Sequence, residues 1–94
     1  KYGVKPEDAA ALVEEAQNAR HVEVVGLMTM APYLSDPEGC RKFFVKLREL
    51  KDGINDKLGR DALKFLSMGM TNDFEVAVEE GATHLRIGTA LFQT

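Results

Sequence analysis

The sequence predicts an α/β fold built on a parallel sheet, and three observations carry that reading. Helix-periodic and strand-like stretches alternate along the chain, and strands separated by helices form parallel sheets with right-handed crossovers. Val22-Glu-Val-Val-Gly-Leu-Met28 is β-branched and apolar on both faces, as expected of a strand covered on both sides. Two stretches, Ser67-Met-Gly-Met-Thr-Asn-Asp-Phe-Glu75 and Gly81-Ala-Thr-His-Leu-Arg-Ile-Gly-Thr-Ala-Leu-Phe92, each pass from a strand through Gly, Ser or Thr into a helix start.

The elements follow in order. Pro6 suits a first helical position, with Glu7 and Asp8 in the first turn. Ala9, Leu12, Val13 and Ala16 recur at helical spacing, which predicts a helix over about residues 6–19. A strand over 22–28 leaves into the loop Met28-Thr-Met-Ala-Pro-Tyr33. Asp36-Pro37 reads as an N-cap followed by proline at the first helical position. Cys40, Phe43, Phe44, Leu47, Leu50, Ile54 and Leu58 form one apolar stripe of a long helix, with Gly59 as its stop.

Leu63-Lys-Phe-Leu-Ser67 predicts a short strand. Asn72 with Glu75 fits a capping pair for the next helix, with Thr71 as the alternative cap. That helix is expected to bury Phe74, Ala77 and Val78 and to end at Gly81; a last strand follows at His84-Leu-Arg-Ile87. The order α-β-α-β-α-β then closes on a short helical turn. Three strands are less than half of a (β/α)8 barrel, which needs about 250 residues. The chain is therefore expected to be the C-terminal part of one barrel domain, residues 1–94 forming a single piece of it.

Composition narrows the function. A net charge of -3 argues against nucleic acid, whose binders carry a basic face. No apolar run approaches the roughly 18 residues of a membrane helix. Cys40 is the single cysteine, so no internal disulfide forms; this fits a reducing compartment and sets the expectation of a cytoplasmic protein. Its free thiol is expected to serve as a small buried apolar group. His21 and His84 have no partners at metal spacing, so no metal site is expected.

The two strand-to-helix turns suit a phosphate. Unpaired N–H groups at a helix start point outward, and the helix dipole favours an anion there. In (β/α)8 barrels such sites are often built from the last two loops. Ser67, the Met68 backbone N–H, Gly88 and Thr89 are the candidates; as plain turn residues Ser67, Gly88 and Thr89 would need no ligand. Arg86 lies between Leu85 and Ile87 and so points to the other face of its strand, the interior of a closed barrel. There it needs an anion or an acceptor, with a salt bridge to a neighbouring strand as the alternative.

Gly26-Leu-Met-Thr-Met30, Leu66-Ser-Met-Gly-Met-Thr-Asn-Asp-Phe-Glu75 and the 81–92 stretch strongly resemble the pyridoxal 5′-phosphate (PLP) homeostasis proteins, the YggS/PROSC family. These are barrels of the fold shared with the alanine racemase N-terminal domain. The resemblance covers nearly the whole chain and places it at about strands six to eight. It implies PLP as cofactor and partner, bound through Ser67, Met68, Arg86, Gly88 and Thr89, and cofactor handling rather than turnover. The family's Schiff-base lysine belongs to the first strand, upstream of this chain, so no catalytic residue is expected within it. Lys64 is the one lysine inside a predicted strand, and it lies near the end opposite the active-site end.

Two departures stand out. Thr71 replaces the usual serine and keeps the hydroxyl, while Gln93 replaces the usual glycine. Competing readings are a fold-type III PLP enzyme such as an amino-acid racemase or decarboxylase, a phosphate-binding barrel with another ligand, and an inert fragment. The isolated chain, lacking the N-terminal barrel segment, is expected to self-associate through its open sheet edges and inner face.

Overall fold

The computed structural model describes residues 3–86. Within them lie the helices α1 (Pro6–Gln17), α2 (Arg41–Leu58) and α3 (Phe74–Glu79). The strands are β1 (Gly26–Met28), β2 (Phe65–Met70) and β3 (His84–Arg86). They form one parallel sheet in the order β1-β2-β3, with Leu27 opposite Leu66 and Ser67 opposite both Met28 and His84. The expected alternation and the parallel pairing are both present.

Helix starts follow local chemistry. Pro6 is the first residue of α1, with Glu7 and Asp8 in its first turn. Asp36 caps a 3-10 turn (Pro37–Cys40) by accepting from Glu38 N–H, and α2 continues from it. Gly59 closes α2 at φ 76°, a left-handed conformation that favours glycine. α1 ends at Gln17, two residues short of the expected boundary, and Leu12 is half exposed on it.

The strand boundaries differ from the sequence reading, and the hydrogen bonds show why. β2 begins at Phe65 because the Leu63 backbone is already occupied. Asn55 Nδ2 donates to Leu63 O at 2.9 Å, and Leu63 N–H donates to Asn55 Oδ1 at 2.8 Å. Residues 22–25 then have no partner strand alongside, so β1 shortens to three residues; Val25 O still accepts from Lys64 and Phe65 N–H at 2.7 and 3.0 Å. β2 runs past Ser67 to Met70, and Met70 pairs with Arg86 across an irregularity in the register. Gly69 forms that irregularity at φ 109°. A Cβ there would lie 2.8 Å from Ala77 Cβ and from Leu85 Cδ2.

The helices cover one face of the sheet. Leu66 and Met68 pack with Cys40, Phe44, Val76 and Ala77, with Leu27 and Leu85 joining from the flanking strands. A second cluster, Ala9, Val13, Ile54 and Leu63, joins α1 to α2. Val76 rather than Val78 faces this core, and Val78 is half exposed. α3 starts one residue later than a cap at Asn72 would set it, which turns Val76 inward. Arg41 ties the layer together by pairing with Glu38, Glu79 and Glu80, while Arg48 pairs with Glu80 at 2.6 Å. The hydrogen bond from Arg41, then that from Arg48, holds the Glu80 carboxyl below the ordinary carboxylate range.

Candidate functional site

Alternation along the strands sends Gly26, Met28, Phe65, Ser67, His84 and Arg86 to the face opposite the helices. No described helix covers that face: Phe65 is 41% exposed and Met28 61%. Phe65 and His84 meet there edge to face, with ring centroids 5.2 Å apart. Thr83 fixes the start of β3 by serving the Leu66 backbone twice, accepting from its N–H at 2.8 Å and donating to its carbonyl at 3.2 Å.

Arg86 is the chemically distinctive group on this face. Its Nη2 donates to the Thr29 carbonyl at 2.8 Å, so the side chain spans from β3 across β2 to the end of β1. Thr29 is held in turn by its N–H donating to Ser67 O at 3.1 Å. Arg86 Nε is enclosed and finds no acceptor among the described residues. An ion pair to a strand neighbour, the alternative role, is not formed among those residues; the backbone carbonyl takes its place. An enclosed charged donor without a partner is costly unless a ligand supplies the acceptor.

Ser67 lies on the same face, in the middle of β2 rather than at its end. Its hydroxyl makes no hydrogen bond among the described residues, and it is neighboured by Met28 and His84. Met68 points the other way and is fully buried in the helix-side core, so its side chain takes no part in the face. Neither residue stands at a helix start, because β2 continues to Met70 and a turn intervenes before α3. Gly88 and Thr89, the other two candidates, lie outside the described residues.

The turn between β2 and α3 also departs from the expected capping pair. Asp73, 5% exposed, accepts from Met70 N–H through Oδ1 at 2.7 Å. Asn72 does not cap the helix, and its Nδ2 is enclosed without an acceptor among the described residues. Asp73, which the sequence offers with Glu75 as a helix-start pair, is the residue before α3, but its carboxylate holds Met70 rather than the helix. Sequence reasoning missed Asn55 as a structural group. Asn55 carried a signal, since an uncharged amide sat beside Ile54 on the apolar stripe of α2.

At the other end of the sheet the chemistry does not suit an anion. A pocket of about 380 Å³ lined by Lys51, Asp52, Asn55, Asp56, Asp61, Leu63 and Lys64 lies at the opposite, N-terminal end of β2. Its three carboxylates disfavour phosphate, and Lys64 is exposed there, away from Ser67 and Arg86. Cys40 is buried, and desolvation pushes its thiol pKa up, so it behaves as an apolar group. Among the described residues no group of three or more His, Cys, Asp or Glu side chains could hold a metal. No described helix is long and apolar enough to cross a membrane.

Comparison with known proteins gives the family and the fold. A pyridoxal phosphate homeostasis protein from Aquifex aeolicus is 53% identical over 92 residues, covering 98% of this chain and 40% of that protein. The protein of the same name from Bos taurus is 41% identical over 96 residues, covering 98% and 35%. The chain thus spans about two fifths of the length of the curated relatives it matches. Among solved structures, PipY of Synechococcus elongatus with PLP bound superposes with a TM-score of 0.87 at 33% identity, covering 98% of this chain and 43% of that one. The same protein without PLP gives the same TM-score at 34% identity. The family described as alanine racemase, N-terminal domain, matches residues 1–94 from end to end. The chain belongs to the alanine racemase N-terminal domain family.

Proposed function

We propose that this chain supplies the phosphate-binding side of a PLP site in a PLP homeostasis protein. In this reading the three strands are the sixth to eighth of a (β/α)8 barrel whose remaining strands cover the open face. The observation that carries it is Arg86, laid across the sheet on a face no described helix covers, with an enclosed Nε that finds no acceptor among the described residues. Its residues fit the cofactor in kind. The Ser67 and Thr89 hydroxyls and the Met68, Gly88 and Thr89 backbone N–H groups are donors suited to phosphate oxygens. Arg86 presents a permanent positive charge, which disfavours protonation of a pyridine nitrogen placed beside it. When bound, PLP supplies a reactive aldehyde and an electron sink. This chain's own contribution is to bind the phosphate, fix the ring's orientation and exclude water from the Arg86 side.

The relatives are named for homeostasis rather than for a reaction. We take this chain likewise to belong to a protein that carries the cofactor without turnover. A cytoplasmic setting belongs to the same reading, supported by a single, buried, unpaired cysteine.

Titration of PLP into the protein bearing this chain with the rest of its barrel tests the assignment. Ser67→Ala combined with Thr89→Val removes two hydroxyl donors and is expected to weaken binding by about 3–6 kcal/mol, since each hydrogen bond to a charged group contributes roughly 1.5–3. Unchanged affinity would place the phosphate elsewhere. Amino-acid racemisation by the unsubstituted protein would favour an enzyme instead.

A further inference from the structure

Two side-chain donors are enclosed without an acceptor among the described residues, Arg86 Nε and Asn72 Nδ2. They arise at the same end of the sheet. The turn that carries Asn72 is pinned over the end of β2, because Asp73 N–H donates to Met70 O at 3.2 Å and Met70 N–H donates to Asp73 Oδ1 at 2.7 Å. Met70 is the register partner of Arg86. Asn72 therefore stands two residues beyond a position that lies directly beside Arg86. The one carboxylate within the turn, Asp73, is committed to the Met70 backbone.

We propose that Asn72 is a further phosphate-binding residue, its side-chain N–H donating to a phosphate oxygen of the ligand that Arg86 faces. The inference rests on the PLP reading above. A phosphate monoester matches because it carries several acceptor oxygens and no donors when ionised. Amide, guanidinium and the nearby Ser67 hydroxyl form a set that can donate throughout. An amide enclosed without a partner lowers the stability of the ligand-free protein, and a ligand that supplies the acceptor offsets that cost.

The test uses Asn72→Ala and Asn72→Leu in the protein carrying the rest of the barrel, with three readouts. The dissociation constant for PLP is expected to rise about tenfold or more, the loss of one hydrogen bond to a charged group. Binding of pyridoxal, which lacks the phosphate, is expected to stay as in the unsubstituted protein. The melting temperature of the ligand-free protein is expected to hold or rise, because an enclosed unpaired donor has been removed. Equal losses for PLP and pyridoxal, or a lowered melting temperature with PLP affinity unchanged, would show a purely structural amide and overturn the assignment. Failure of the unsubstituted protein to bind PLP would overturn both this assignment and the reading beneath it.

Discussion

Replacing Gly69 by alanine is expected to cost about 2–5 kcal/mol of folding stability, the sum of a left-handed backbone penalty and overpacking. Gly69 sits at φ 109°, and its added Cβ would come within 2.8 Å of Ala77 Cβ and Leu85 Cδ2. Ala77 is fully buried and its Cβ is fixed to the α3 backbone, so relief requires α3 to move off the sheet. The same movement would pull Met70 out of register with Arg86 and disturb the site. Gly53→Ala is the matched control. Gly53 lies exposed within α2 with nothing within 4 Å of an added Cβ. There alanine is expected to stabilise by about 0.5–1 kcal/mol, because glycine costs helix entropy. Urea unfolding of both variants in the complete barrel checks the pair; equal midpoints would contradict the packing described.

Asn55→Ala is expected to destabilise by about 2–6 kcal/mol. Leu63 is 1% exposed, and its N–H and carbonyl are both satisfied by the Asn55 side chain. Alanine leaves two buried backbone groups without partners, each costing about 1–3 kcal/mol. Asn55 lies at the end of the sheet opposite Ser67 and Arg86, so PLP affinity of the folded fraction should not change. Thermal unfolding together with a PLP titration tests both halves. A stability loss below about 0.5 kcal/mol, the range of an ordinary surface change, would show that water replaces the amide.

These two positions explain where the sequence was legible. Pro6 and Gly59 set helix ends through their own backbone chemistry, and each acts where its local pattern placed it. The Asp36-Pro37 pair also opens a helical segment, but a 3-10 turn over Pro37–Cys40 precedes α2, which starts at Arg41. Strand ends depend on distant partners. β2 starts late because Asn55, eight residues earlier, occupies Leu63. It ends late because the irregularity at Gly69 lets Met70 reach Arg86. Neither contact has a local signature.

The candidate site divides the same way. Arginine on the non-helical face follows from the two-residue period of a strand, so the side of the sheet taken by Arg86 could be placed in advance. The Thr29 carbonyl that receives Arg86 could not, since that contact spans 57 positions of sequence. The sequence pattern sets Ser67 at a strand end before a helix start, and it lies inside β2 instead. Asn72 carried a cap-like pattern with Glu75, and only the fold shows that Asp73 takes the turn instead.

In the proposed function this chain forms the non-covalent, phosphate-binding side of the cofactor site. Borohydride reduction of the PLP-loaded protein, followed by peptide mass spectrometry, distinguishes that role from a covalent one. Lys64 is exposed at the end of β2 remote from Arg86, and Lys42, Lys46 and Lys57 are exposed on α2. The predicted result is a single pyridoxyl-modified lysine outside residues 1–94. A specific pyridoxyl group on Lys64, or on any other lysine of this chain, would contradict the claim.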